Sequence, residues 1–395
     1  MINLPKTSRF IVEFDSTLDL FRKTVKTANI ALWASGANIF KENHTFLTLQ
    51  LFCTVSYIIA TMAIIFYNLY LFHDDFIRCC FMLTIFFIAI QGFTKVYTLF
   101  RYKIGILAMV ARCETIMMKY NYPKVNEIFE KWMLITWYLF VLLAVTFCTA
   151  GVLAAIYPII VYLITGTKFL HFGYQLPWLQ WDGRYGYLCN FVFCCIATFL
   201  YALPLSATVC IYLLFVLIVL AQYDMLEVFI EELDESIVSN DNGRNAKLIK
   251  SQIKRIAENY IEICDFVKAY NNTYQLVIFV EVGCLIGEST ICLYANATDI
   301  FFPGILIIFT CAFQIFLPCV LGTILIIAGD NFYDNLCKIH WNLLSIPDQH
   351  SFILLLISSK TSEVITIQMN VLHLETFVAI YKSIYSYFTL LMSME

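Results

Sequence analysis

Three ionisable side chains lie inside long apolar stretches of this sequence, where an unpaired charge is costly. Glu281 and Glu288 fall in one stretch, and Lys382 lies near the middle of the last one. A charged group in such surroundings normally pairs with another group or faces water, so it marks a candidate functional position. Glu281 and Lys382 lie at similar depths if each helical residue rises about 1.5 Å. Three interpretations stay open: an ion pair between them, a water-filled path, or stretches whose ends are misplaced.

The last apolar stretch also carries more polar side chains than the others. Hydroxyl groups recur around much of the helix that it would form, together with Lys382. A helix that faced only lipid would not carry them, whereas a helix that lines a pore can. Leu390 and Met394 are four residues apart and share one face near its end. In an oligomer, rings of these two residues would form a hydrophobic gate, and ordinary packing is the alternative.

The sequence offers no residues for enzyme chemistry or for a metal centre. The sequence shows no combination of a nucleophilic residue and a general base that would indicate catalysis. The six histidines are scattered and do not have the spacing of metal ligands. Most of the 15 cysteines lie in apolar stretches, where they are typical small buried side chains. No basic domain indicates nucleic-acid binding. We therefore predict no catalytic residue, no metal site, no cofactor and no nucleic-acid partner.

The sequence contains seven long apolar runs, and the ionisable residues named above lie within two of them. Hydrophobic residues make up 61% of the chain and charged residues 14%, against about 25% charged in soluble domains. A helix needs about 20 mainly apolar residues to cross a bilayer core of about 30 Å, and it satisfies its own backbone there. The sequence therefore predicts an all-α polytopic membrane protein with seven transmembrane helices. The predicted crossings are 46–72, 76–96, 132–157, 188–220, 274–294, 300–328 and 372–392.

The basic residues predict which way round the chain sits. Of the 25 Lys and Arg residues, 21 lie in the N-terminal segment and in the gaps after the second, fourth and sixth runs. The opposite side holds only Arg78, Lys168 and Arg184, while Lys382 lies inside the last run. Basic loops remain in the cytosol. We therefore expect a cytosolic N-terminus and an extracellular C-terminus, which is the reverse of a G-protein-coupled receptor.

The crossings divide the chain into segments that differ in polarity. The expected parts are a cytosolic amphipathic segment (1–45), four crossings (46–220) with a long outer loop (158–187), a cytosolic helical hairpin (221–273), two crossings (274–328), a cytosolic region with a short helix (329–371) and the last crossing (372–395). The outer loop is rich in Trp and Tyr, which fits either an interfacial belt or a lid over a cavity. The hairpin's charges fit either a solvated face or a subunit contact.

Several motifs resemble those of the insect odorant receptors. The stretch 313–322, followed by Tyr333 and Trp341, is similar to the sixth-span signature of that family. The stretches 374–377 and 383–391 resemble its last span. Outer-loop residues 176–178, with Trp181 and Asp182, resemble its second outer loop. Because the inner gap 221–273 is shorter than in the family's co-receptor, the chain resembles an odorant-tuning subunit.

This resemblance implies a function for each segment. It implies a ligand-gated, non-selective cation channel, assembled as a heterotetramer with the co-receptor in the plasma membrane of a sensory-neuron dendrite. Crossings in 46–220 would form the odorant-binding bundle, 221–273 and 329–371 the anchor, and the last helix the pore. Its ligand would be a small volatile organic molecule held in the outer half of the bundle. By resemblance and apolar character, the odorant-site residues are Leu83, Phe86, Phe87, Cys148, Gly151, Ala155, Phe191, Cys195, Thr198, Phe199, Phe309 and Phe313, and the gate residues are Leu390, Ser393 and Met394.

Two other functions are weighed against this one. A metabotropic seven-helix chemoreceptor without its own pore is disfavoured by the distribution of basic residues. A membrane-bound transferase or transporter has no candidate catalytic residues and no internal repeat in this sequence. The sequence thus favours a receptor channel that interacts with a volatile ligand, permeating cations, the lipid bilayer and a second type of subunit.

Overall fold

The computed structural model describes most of the chain. It covers residues 17–33, 36–37, 39, 48–120, 122–168, 170, 172–179, 183–239, 245–298, 302–361, 363–367 and 370–393, with the backbone alone at 201–204 and 367. The helices are α1 (Thr17–Trp33), α2 (Leu49–Leu71), α3 (Phe76–Arg101), α4 (Lys103–Lys119), α5 (Pro123–Thr165), α6 (Arg184–Val238), α7 (Ala246–Thr298), α8 (Phe302–Lys338), α9 (Ile346–Ser359) and α10 (Leu374–Met392). A two-stranded hairpin, β1 (Thr366–Ile367) with β2 (Asn370–Val371), precedes α10. The predicted all-α class is confirmed.

Each of the seven predicted crossings coincides with a helix. Among the described residues, α2, α3, α5, α6, α7 and α8 are long and apolar enough to cross a membrane. The 19 residues of α10 extend about 28 Å, close to the thickness of the hydrocarbon core. Its lower apolarity comes from Lys382 and from the hydroxyl side chains already noted in the sequence.

Three helices are much longer than a bilayer requires. Helices α5, α6 and α7 contain 43, 55 and 53 residues, whereas about 20 suffice for a crossing. Helices α6 and α7 run antiparallel: the rings of Phe215 and Phe266 lie 5.9 Å apart, and Arg255 pairs with Glu232 at 2.5 Å. Their polar ends therefore extend together as a pair, and residues 240–244 between them lie outside the described residues.

The segment between the second and third crossings differs from the sequence-based expectation. The pattern at 97–131 predicts that both helices continue through it. Instead, α3 ends at Arg101 and a separate helix, α4, follows a break at Tyr102. The next break precedes Pro123, where Tyr122 is extended at φ −134° and ψ 155°. Proline favours an extended residue before it and fits the first turn of a helix, so α5 begins there.

The N-terminal helix packs onto the bundle through one apolar face. Leu20, Phe21 and Leu32 of α1 are buried, and α1 contacts α5 and α6. On its polar face, Arg22 Nε lies 2.9 Å from Glu114 Oε1 of α4. The amphipathic pattern at 17–33 thus forms a helix, while residues 1–16 and 40–47 lie outside the described residues.

Candidate functional site

A cavity of about 100 Å³ lies among five of the long helices. Small residues on two of them, Gly151 and Ala154 of α5 and Ala197 of α6, leave space where larger side chains would meet. Most of the lining is apolar, which suits a small organic molecule. The lining residues are Ile85, Ile88, Gln91, Phe147, Ala150, Gly151, Ala154, Phe172, Ala197, Thr198, Leu205, Glu288, Pro303, Leu306, Ile307, Thr310 and Gln314.

The loop between α5 and α6 covers part of this cavity. Phe172 of the loop lines the cavity and is 4% exposed. Next to it, the carbonyl oxygen of Gly173 accepts a hydrogen bond of 2.6 Å from Arg78 Nε. The Asn68 side chain donates to the carbonyl of Gln175 and accepts from its N–H, at 2.8 and 3.0 Å. These bonds hold the loop against α2 and α3, which supports the lid interpretation of this part of 158–187.

Polar side chains from three helices meet at one part of the lining. Gln91 of α3 donates through Nε2 to Glu288 Oε1 of α7. The Cys311 thiol of α8 lies 3.3 Å from the other carboxyl oxygen of Glu288. Gln314, one turn further along α8, is 7% exposed and its Oε1 has no hydrogen-bond partner. The cavity therefore combines apolar walls with a few polar atoms that could orient a ligand.

Two of the twelve sequence-predicted ligand residues line this cavity. They are Gly151 and Thr198. The others lie on the same helices but do not line it: Leu83, Phe86 and Phe87 on α3, Cys148 and Ala155 on α5, Phe191, Cys195 and Phe199 on α6, and Phe309 and Phe313 on α8. Because a helix turns about 100° per residue, a neighbour in sequence faces another side. On α8, for example, Phe309 is 71% exposed, while Thr310 lines the cavity.

Several lining residues were not named as ligand residues from the sequence. Gln91 and Gln314 are polar side chains inside apolar helices, and that same signal had singled out Glu288. Gln314 also belongs to the quoted stretch 313–322. The small residues Ala154 and Ala197 gave no signal, because a short apolar side chain fits equally well at a packed contact.

Glu281 has a partner other than the one considered from the sequence. Lys95 Nζ of α3 lies 2.7 Å from Glu281 Oε1 of α7, and these side chains are 4% and 5% exposed. Lys382 is exposed on α10. The hypothesis of a Glu281–Lys382 pair is therefore wrong. The similar predicted depths of Glu281 and Lys382 in the membrane did not identify a pair, because depth does not tell which face of its helix each residue occupies.

Two of the three residues considered for a gate, Leu390 and Ser393, lie at the end of α10. Leu390 is 58% exposed, and Ser393 Oγ donates to its carbonyl at 2.7 Å. Met394 lies outside the described residues. Only Ile380 and Ile384 of α10 are buried, so this chain leaves most of the helix uncovered.

Comparisons with known proteins agree on one family. Residues 75–385 match the family model described as 7tm Odorant receptor. The chain is 22% identical over 250 residues to odorant receptor 83c of Drosophila melanogaster; the match spans 60% of this chain and 62% of that protein, less than two thirds of the relative's length.

The fold has also been solved in an insect receptor. The olfactory receptor OR5 of Machilis hrabei, determined alone and in complex with eugenol, aligns with a TM-score of 0.78 at 12% identity. The alignment covers 96% of this chain and all of that one. At this identity the match shows the fold alone. With the family match over 75–385, the resemblance inferred from the motifs is confirmed, and the chain belongs to the odorant receptor family, as a multi-pass membrane protein.

Proposed function

We propose that this chain is the odorant-binding subunit of a heteromeric, ligand-gated, non-selective cation channel. The observation that carries the proposal is the apolar cavity of about 100 Å³ among α3, α5, α6, α7 and α8. An apolar cavity of about 150 Å³ can hold a molecule of the size of benzene. At about 100 Å³ the cavity of this chain is smaller than that, so it suits only a compact volatile. The OR5 receptor of similar fold was solved with eugenol, another small organic molecule.

The cavity can influence the last helix through α8. Thr310 and Gln314 of α8 line the cavity. Two residues beyond Gln314, the ring of Phe316 of α8 lies 5.4 Å from the ring of Phe377 of α10. A ligand that binds the open form better than the closed form shifts the population toward the open form. In this proposal α10 then moves, and the gate at Leu390, Ser393 and Met394 widens.

The same proposal includes the orientation of the chain in the membrane and its assembly with other subunits. The N-terminus lies in the cytosol, the C-terminus is extracellular, and the assembly is a tetramer with the co-receptor in the dendrite membrane of a sensory neuron. The largely uncovered surface of α10 supports a pore built from several subunits. The polar ends of α6 and α7, where Arg255 pairs with Glu232, support a cytosolic anchor.

Electrophysiology of cells that express this chain with an insect odorant co-receptor tests the proposal. Volatiles should evoke cation currents in cells with both chains, and these currents should persist when G-protein signalling is blocked. A tag fused after Glu395 should bind antibody on intact cells. Currents that disappear with the G-protein block would favour the metabotropic alternative, and a tag accessible only after permeabilisation would refute the proposed orientation.

Filling the cavity should reduce the response to volatiles. Ala154→Phe places a ring where Ala154, 8% exposed, now lines the cavity. We expect the half-maximal concentration for volatiles to rise at least about tenfold, since the ring competes for the space of the ligand. The matched control is Ile156→Phe two residues away, where the side chain is 41% exposed. Dose–response curves at equal surface expression give the comparison, and equal curves for the two variants would contradict the assignment of the cavity.

A further inference from the structure

We propose that the turn 176–179, in the loop between α5 and α6, docks into the lipid headgroup region through the ring of Trp178 and so fixes that loop over the cavity. In the proposed orientation this is the outer leaflet. The lipid contact goes beyond the proposed function, and only its effect on the odorant response rests on that function. Three observations carry the inference: backbone strain at Trp178, exposure of its ring, and the depth at which α6 holds the turn.

Trp178 occupies a backbone position that normally belongs to glycine. The N–H of Leu179 donates to the carbonyl of Leu176 at 3.2 Å, which closes a four-residue turn, and Trp178 has a φ of 63°. Pro177 has a fixed negative φ, so a positive φ at the next residue identifies a type II turn. A bulky side chain there costs free energy, and such strain is typical of functional segments. No other described residue except glycine has a positive φ.

Packing within the chain does not offset this strain. Trp178 is 98% exposed, so its ring gains almost no burial against the rest of the protein. Glycine would form the same turn without strain and without a large apolar surface in water. The stabilising contact of the ring is therefore one that Trp178 makes outside the chain.

A buried side chain of α6 holds the turn in this conformation. Asn190 is 1% exposed; its Oδ1 accepts from the N–H of Leu176 at 2.6 Å, and its Nδ2 donates to the carbonyl of Leu179 at 3.1 Å. Asn190 Nδ2 also donates to the carbonyl of Gly186 on α6, at 2.8 Å. Both ends of the turn are thus fixed to one residue, and Trp178 between them is held pointing away from the protein.

The position of Asn190 on α6 places the turn at the level of the membrane surface. The predicted crossing 188–220 begins two residues before Asn190. The rings of Tyr162 and Tyr187 lie 6.5 Å apart, so the end of α5 reaches the same level. Trp and Tyr prefer this interface, where the ring meets apolar chains and its polar group meets headgroups or water. The apolar residues nearby that are more than half exposed are Leu163, Ile164, Tyr185 and Leu188.

The lipid contact fixes the loop that covers the cavity. Phe172 lines the cavity, and the residues after it are bonded to Arg78 and Asn68. The turn 176–179 follows directly along the chain, so a movement of the turn is transmitted to Phe172. Anchorage of Trp178 in the headgroup region therefore keeps Phe172 against the ligand.

Tryptophan fluorescence in lipid nanodiscs tests the contact. The full chain with the co-receptor is reconstituted in phosphatidylcholine, or in phosphatidylcholine brominated on the acyl chains close to the headgroup. Subtracting the emission of Trp178→Phe from that of the wild type isolates the emission of Trp178. We expect the brominated lipid to remove most of this emission, because bromine quenches only rings that it contacts. Trp341→Phe is the control: Trp341 lies between α8 and α9, is 42% exposed, and should show no such loss.

Two results of this measurement would overturn the inference. Emission of Trp178 that is equal in both lipids and is quenched by acrylamide belongs to a ring in water. Emission that resists both bromine and acrylamide belongs to a ring covered by protein, which would assign the turn to a subunit contact.

Two further variants test whether the lipid contact holds the loop. Trp178→Gly keeps the positive φ without strain, so its surface expression should equal that of the wild type. The half-maximal concentration for volatiles should rise about threefold, because the loop then covers the ligand for a smaller fraction of the time. Trp178→Tyr, which keeps a ring with a polar group, should restore most of the response. A Trp178→Gly dose–response curve equal to that of the wild type would overturn this part of the inference.

The lipid contact and the proposed function fail separately. The fluorescence measurement needs no channel activity, so quenched Trp178 in a protein that gives no current with any volatile would overturn the proposed function and support the contact. Odorant-evoked currents in a protein whose Trp178 is not quenched would support the proposed function and overturn the contact.

Discussion

Replacing Lys95 by Met is expected to destabilise the protein by about 3–5 kcal/mol, because Glu281 then remains in the interior without its partner. Lys95 Nζ lies 2.7 Å from Glu281 Oε1, and both side chains are at least 95% buried. An isolated charge in such surroundings pays the cost of lost hydration without the compensating attraction. Thermal unfolding of purified protein in detergent, together with the fraction that reaches the cell surface, measures the effect.

A double variant separates the loss of a pair from the loss of packing. Lys95→Met combined with Glu281→Leu removes both charges and should regain most of the lost stability, since replacing a buried pair by apolar groups is often neutral or better. Arg22→Ala is the control for an exposed pair, because Arg22 Nε and Glu114 Oε1 are 2.9 Å apart but their side chains are 54% and 30% exposed. That change should cost less than about 1 kcal/mol. A Lys95→Met variant as stable as the wild type would contradict the interpretation.

The Lys95–Glu281 pair belongs to a series of polar contacts between α3 and α7. Gln91, one turn before Lys95, meets Glu288, two turns after Glu281. As residue numbers rise on α3 they fall on α7, so the two helices are antiparallel. A shift of either helix by one residue would rotate these polar groups away from each other and toward apolar surroundings, at a cost for every unpaired group. The contacts therefore favour one register of two otherwise apolar helices.

Composition and periodicity predicted the helices well because each crossing is a local property of the chain. A segment of about 20 mainly apolar residues must be surrounded by lipid or by a protein core, whatever the rest of the chain does. The partner of Glu281 depends instead on the rotation of α3 relative to α7, and Lys95 lies only at the end of its predicted run. Hydropathy contains no information on that rotation. Depth alone suggested Lys382, which the structure places on an exposed part of α10.

The cavity shows the same limit at the level of single residues. The sequence-based site fell on the helices that surround the cavity, and Gly151 and Thr198 line it. On α3, resemblance and apolar character pointed to Phe86 and Phe87, yet Ile85 and Ile88 line the cavity. A ring signals burial or lipid contact without telling which face it occupies. Polar residues inside crossings were the better indicator, because their burial needs a specific reason.

Replacing Gly322 by Ala should disrupt the attachment of the last helix to α8. A Cβ atom at Gly322 would lie 1.9 Å from the carbonyl oxygen of Leu372 and 3.0 Å from its carbonyl carbon. These are backbone atoms just before α10, and the N–H of Leu374 donates to Thr323 Oγ1 at 2.9 Å in the same place. A methyl group here cannot be accommodated by a side-chain rotation. The chain that leads into α10 must move away from α8.

The expected result is a large loss of odorant-evoked current and of surface expression for Gly322→Ala. Helix propensity alone predicts the opposite sign, since Ala is about 1 kcal/mol more favourable than Gly inside a helix. Gly283→Ala on α7 is the matched control: its Cβ would have no neighbour within 4 Å, so it should be neutral or slightly stabilising. Currents at saturating ligand and the thermal stability of both variants give the comparison. If Gly322→Ala behaved like Gly283→Ala, the close contact between Gly322 and the backbone of Leu372 would not be needed to keep α10 attached to α8. The route from the cavity to the gate would then have to run through other contacts.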